Sequence, residues 1–139
     1  MPKSLQRYLS LHDFEADARR ILPKPIYAYV SGAVEDEESL KANSSSFKQY
    51  GFLPNVLVDV SRVDATATLF GKKYSAPIGI APMGIAAITS YRGDVTLAQA
   101  AAKAQIPCIM SGSSLIRLEE VMQDAPTTWF QAYLPGDEQ

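Results

Sequence analysis

Three short clusters hold the side chains best suited to chemistry in this 139-residue sequence: Pro82-Met83-Gly84, Ser111-Gly112-Ser113-Ser114 and Gln131-Ala132-Tyr133. None of them contains a charged residue. Hydroxyl and amide side chains beside small residues with accessible backbone amides suit the polar edge of a flat heterocycle better than a phosphate or a metal ion. The sequence has one histidine, His12, and one cysteine, Cys108, which excludes a His/Cys zinc site, and no metal is expected. The lone cysteine also excludes an internal disulfide and fits a reducing compartment.

Each cluster ends a short apolar run. Residues 77–82 read as a strand buried on both faces, 106–110 as a second strand and 128–133 as a third. Between them the pattern predicts helices over 95–105 and 115–123. The first is capped by Asp94, and its Ala98, Ala101 and Ala102 allow close packing on a sheet. Strand, helix, strand, helix, strand at this spacing implies βαβ units and a parallel sheet. Upstream, Phe14, Ala18, Ile21 and Leu22 predict a helix over 11–22, stopped by Pro23 and Pro25. A short helix or turn over 26–30 ends at Ser31-Gly32, and a third helix is expected over 36–50. Its acidic start, Glu35 to Glu38, suits the positive end of the macrodipole. Residues 66–70 and 73–76 flank Gly71 as a small hairpin, and 135–139 form a turn-rich stretch.

Three parallel strands fit either half of a doubly wound sheet or the start of a barrel. A dinucleotide fold wants Gly-x-Gly-x-x-Gly after its first strand, whereas Ala81-Pro82-Met83-Gly84 stands there. The barrel is therefore favoured. A complete eight-unit barrel needs roughly 250 residues, so only part of one fits. The expected fold class is α/β: a partial (β/α)8 TIM barrel, its first three strands at 77–139, preceded by a helical segment over 1–65 and the hairpin at 66–76.

Composition removes other classes. Thirteen basic against fifteen acidic residues, a net charge of -2, leave no basic excess for nucleic acid. No apolar run is long enough to span a bilayer, and the first residues lack the apolar stretch of a secretion signal. A cytoplasmic address is expected.

Several separated words resemble the family of FMN-dependent L-2-hydroxy-acid oxidases and dehydrogenases. They are Leu22-Pro23-Lys24, Tyr27-Ala28-Tyr29, Ser31-Gly32-Ala33 and Glu35-Asp36, then Phe52-Leu53-Pro54 and Leu57-Val58-Asp59-Val60-Ser61. Pro77-Ile78-Gly79-Ile80-Ala81-Pro82-Met83-Gly84, Ala100-Ala101-Ala102, Glu119-Glu120-Val121 and Trp129-Phe130-Gln131-Ala132-Tyr133 complete the set. They stand in family order across nearly the whole chain. The resemblance implies a barrel whose amino-terminal helical segment reaches over the active-site mouth. It implies FMN as cofactor and a small 2-hydroxy acid such as lactate as substrate. Pro82, Met83, Gly84, Ser111 and Gln131 match flavin-binding positions, Tyr29 a substrate-carboxylate tyrosine, and Tyr133 the catalytic tyrosine near the substrate hydroxyl. A homo-oligomer is implied for the full-length protein.

The sequence departs from that family in places. Met83 stands where many relatives carry Thr or Ser, and Ser111-Gly112-Ser113-Ser114 replaces a Ser-Thr-x-Ser pattern. Ile116-Arg117-Leu118 replaces a serine-rich helix start. The family's histidine base, carboxylate-pairing arginine and flavin-facing lysine belong to a part of the barrel that these residues do not include. His12, ahead of the first helix, does not match the base. Two readings follow: the amino-terminal portion of a flavin-dependent oxidoreductase, or a non-catalytic piece or member of a split assembly. The first is preferred; either way, these 139 residues are expected to be inactive alone and, with a sheet edge open, poorly soluble or in need of a partner. Cys108 reads as a core thiol, and Glu35 to Glu38 as a solvated helix start.

Overall fold

The computed structural model describes residues 5–134 and 136. The chain divides into two compact units, residues 1–58 and 59–139. The turn-rich stretch expected at 135–139 lies, apart from Gly136, outside the described residues.

The first unit holds helices α1 (Asp13–Ile21), α2 (Lys24–Ser31) and α3 (Glu38–Ser45), the last running into a 3-10 turn at Ser46–Gln49. Asp13 and Glu15 open α1 and Arg19 and Arg20 close it, so both ends complement the macrodipole. Asp17 gathers Arg7, Tyr8 and Arg20 around its carboxylate, and the Tyr8 ring stacks on Phe14 at 3.9 Å. Pro23 ends α1 but, with Pro25, also starts α2, because proline is tolerated in a first helical turn where no amide proton is needed. The predicted third helix begins later than expected. Glu37 is left-handed at φ +61°, which breaks the run before Glu38, and the final turn tightens to 3-10 geometry. No described residue of this unit is buried.

The second unit opens with the hairpin, β1 (Ala67–Leu69) antiparallel to β2 (Lys72–Tyr74), turned at Gly71 with φ +76°. Ser75 leaves it tied to the end of α4 (Gly93–Ala104): its amide donates to the Gln105 carbonyl at 2.9 Å and its hydroxyl to Ala104 at 2.6 Å. β3 (Ile109–Ser111) pairs in parallel with β4 (Trp129–Gln131) across α5 (Leu118–Asp124). Ile80 makes a parallel bridge to Cys108, fixed by its amide to the Pro107 carbonyl at 2.9 Å and by Ile109 to its own carbonyl at 3.0 Å. The expected parallel arrangement is therefore present in part, as the β3–β4 pair and a single bridge from Ile80. One face packs Cys108 and Met110 against Val95, Ala98, Ala101, Val121 and Ala125, so alanines let α4 and α5 lie close to the strands. Trp129, on the other face, meets the edges of Phe70 and Tyr74, with ring centroids 5.3 and 6.3 Å away.

Three expectations are corrected. Residues 77–82 are not a strand buried on both faces: pairing is a single bridge and Ile78 is 66% exposed, lining an open hollow with Ala67 and Leu69 of the hairpin. Asp94 does not cap α4. The cap position is Arg92, left-handed at φ +50°, and Asp94 lies inside the first turn. The helix expected from residue 115 starts at Leu118, after an extended Arg117 at the cap position.

Candidate functional site

Parallel pairing brings the ends of β3 and β4 together, beside the segment bridged through Ile80. In the β3–β4 register Ser111 stands opposite Gln131. The buried Ser111 hydroxyl donates to Gln131 Oε1 at 3.3 Å and accepts the Ser113 amide at 3.1 Å. Gln131 Oε1 also accepts the Gly112 amide at 3.2 Å. The carbonyl end of Gln131 is thereby committed, which leaves its two N–H donors for other acceptors.

Gly112 is required by space. A Cβ there would lie 2.7 Å from the Gln131 carbonyl oxygen and 3.1 Å from the Tyr133 ring. The aromatic ring thus lies across a gap that a side chain would fill. Tyr133 is 69% exposed, and its phenol is held below the usual tyrosine range, chiefly by the Ser113 side chain, then by Gln131 and Ser111. Hydrogen bonds to the phenolate favour the ionised form.

The loop after the first strand joins this group through its backbone. Ile85 donates its amide to the Ser113 carbonyl at 3.1 Å, and a Cβ on Gly84 would meet Ser113 Cβ at 3.6 Å. Pro82 is exposed beside them. Met83 lines a small cleft with Asp94, Leu97, Cys108 and Met110, on the helix-facing side of the sheet. Of the predicted residues, Ser111, Gln131 and Tyr133 form one cluster with Gly84 at its margin. Met83 is shared with the crevice beside α4. Tyr29 belongs to the other unit, exposed on α2.

Two members of the Ser111–Ser114 cluster had no role assigned from the sequence. Ser113 accepts the Ile85 amide and so ties its loop to the first strand's end, and Gly112 clears room for the ring. The Ser-Gly-Ser-Ser word was the available signal, but only the fold shows which of its atoms meet Tyr133. The arrangement can donate and accept hydrogen bonds along a flat polar rim and present one acidified phenol. Among the described residues no group of His, Cys, Asp and Glu could hold a metal. Cys108 is buried as expected, and its thiol is raised by desolvation and then by nearby Asp94.

The profile of a family described as FMN-dependent dehydrogenase matches residues 18–139. The (S)-mandelate dehydrogenase of Pseudomonas putida is 37% identical over 130 residues, covering 93% of this chain and 33% of that protein. The L-lactate oxidase of Lysinibacillus sphaericus is 33% identical over 129 residues, 91% of this chain and 33% of its own length. Among solved structures, the monotopic membrane protein (S)-mandelate dehydrogenase superposes with a TM-score of 0.86 at 37% identity, over 92% of this chain and 35% of that one. Mandelate oxidase gives 0.87 at 31% identity, over 94% and 38%. The chain spans about a third of the length of the curated relatives it matches.

Proposed function

Because the chain belongs to the FMN-dependent dehydrogenase family, we propose that it supplies the flavin-facing portion of an enzyme that oxidises an L-2-hydroxy acid to a 2-oxo acid. FMN is the cofactor the family match indicates. The residues present fit such a group. The donor set at the strand ends is uncharged, and Gly84 and Gly112 add no side chain of their own to the two loops. A flat heterocycle with N–H and C=O groups along one edge needs such partners.

Ser111, Gln131 and the Met83 and Gly84 amides would hold the ring edge, with Pro82 packing beside it. Bound FMN supplies a two-electron acceptor at N5, the chemistry that turns a 2-hydroxy acid into a 2-oxo acid. Tyr133, acidified and exposed, would hydrogen-bond the substrate hydroxyl, and Tyr29 the substrate carboxylate. Family likeness supports both roles. The names of its relatives favour mandelate or lactate as the substrate type. On this reading 77–139 form the first strands of a (β/α)8 barrel. The single histidine, His12, sits at the start of α1, so residues 1–139 alone would supply no base and no turnover.

The observation that carries the reading is the uncharged Ser111–Gln131–Tyr133 group at the joined strand ends. Anaerobic mixing of the intact protein, loaded with FMN, with (S)-mandelate or L-lactate should bleach the flavin absorbance. If neither acid nor glycolate bleaches it, the reading fails. A cytoplasmic address and a homo-oligomer belong to the same proposal. Among the described residues no helix is long and apolar enough to cross a membrane, and fractionation with sizing would show whether the protein instead follows its membrane-associated relative.

A further inference from the structure

We propose that Asp94 is a positioning residue whose buried carboxylate locks the Ser111–Ser114 loop in the shape that receives the flavin, a role that rests on the reading above. Asp94 is 7% exposed in the first turn of α4. A carboxylate so placed is costly unless hydrogen bonds or a partial positive charge offset its desolvation. The start of a helix supplies the second of these. Among the described residues no cation pairs with it, since neighbouring Arg92 is engaged by Glu120 at 3.2 Å. Its side-chain partner is the Ser114 hydroxyl, which donates to Asp94 Oδ2 at 2.8 Å.

From Ser114 the bonding runs straight into the site. The Ser114 hydroxyl accepts the Ile116 amide at 3.1 Å, and the Ser114 amide donates to the Ser111 carbonyl at 3.1 Å. Ser111 then holds Gln131. Asp94 also lines the same cleft as Met83, so the buried group adjoins two of the three strand-end loops. Helix capping does not explain it, because α4 has no side-chain cap hydrogen bond and its cap position is Arg92. The carboxylate's side-chain hydrogen bond goes to the loop, not to the helix.

The test uses the intact protein with Asp94→Ala, Asp94→Asn, Ser114→Ala and the Asp94→Ala/Ser114→Ala double variant, read by FMN fluorescence titration and amide hydrogen exchange. Asp94→Ala should weaken FMN binding about tenfold or more, the scale of a lost charged hydrogen bond. Ser114→Ala should do much the same, and the double variant no worse than either. Asp94→Asn, which keeps an oxygen for the Ser114 hydroxyl, should stay within about threefold of the parent. The Ser114 and Ile116 amides should exchange faster in Asp94→Ala while those in the middle of α4 keep their protection. Uniform loss of protection along α4, unchanged loop exchange, or unchanged FMN affinity with a loosened loop each overturns the proposal. Failure of the parent protein to bind FMN would sink the functional reading instead, and the exchange comparison would still decide the lock.

Discussion

Residues 1–58 and 59–139 have similar local order but differ in what lies beneath it. Among its described residues the first unit has three helices and none that is buried, with Phe47, Phe52 and Leu53 among its exposed apolar side chains. The second has fewer helical residues, yet it closes a core around the fully buried Val121. Helices of eight or nine residues are marginal unless a face is packed. Parallel strands lock because every element of a βαβ unit lays an apolar face on its neighbour. The site follows the core: the polar group is built where strands are fixed in register, not where helices are merely present.

Substitutions can break or sharpen this contrast. Val121→Asp should have the largest effect, unfolding the second unit by several kcal/mol, because an unpaired carboxylate would replace a fully buried methyl pair. Loss of the cooperative melting transition checks it. Gly112→Ala comes next, at about 1–3 kcal/mol, since the new methyl must displace the Gln131 carbonyl or the Tyr133 ring. It should also return the phenol toward the ordinary tyrosine range, seen by ultraviolet titration. The sign follows from linkage. A phenol whose folded pKa is lowered adds stability above its unfolded value near 10, and that stability is lost as pH falls through the folded value.

Cys108 moves the opposite way. Its folded thiol is raised, so its contribution is present below the unfolded value and is lost as pH rises through the folded one. Alkylation by iodoacetamide at pH 8 should be much slower than in the unfolded protein, and equal rates would place the thiol at the surface. Arg92→Ala should cost no more than about 1 kcal/mol, because its pair with Glu120 is substantially solvated. The smallest effect belongs to the first unit, where Phe47→Asp should shift stability by about 0.5 kcal/mol or less. A large loss there would show that the unit has a core after all.

Period and punctuation were enough to read α1, the hairpin about Gly71 and the strand–helix alternation, because each follows from local spacing. Three features depended on contacts the sequence does not spell out. Asp94 has the composition of a cap, but a left-handed Arg92 takes that position and the carboxylate turns to Ser114, twenty residues away. Residues 77–82 have the composition of a central strand, but burial requires neighbours on both sides, and composition cannot report whether they are there. That Ser111, Gln131 and Tyr133 would stand near one another was legible from their place after apolar runs. The Gly112 gap was not, because it exists only once Tyr133 folds back over the loop.

Ile85, Arg92 and Gln105 all adopt left-handed backbone without being glycine, and they bracket the 3-10 turn at Ala86–Ile88 and then α4. Such a conformation costs an ordinary residue roughly 1–2 kcal/mol, so each corner persists only while the docked helix holds it. If α4 lifts from the strands, these corners relax first and become extended chain that a protease can grip. Early nicks at Arg92 by trypsin under native conditions would therefore gauge how often the helix lets go.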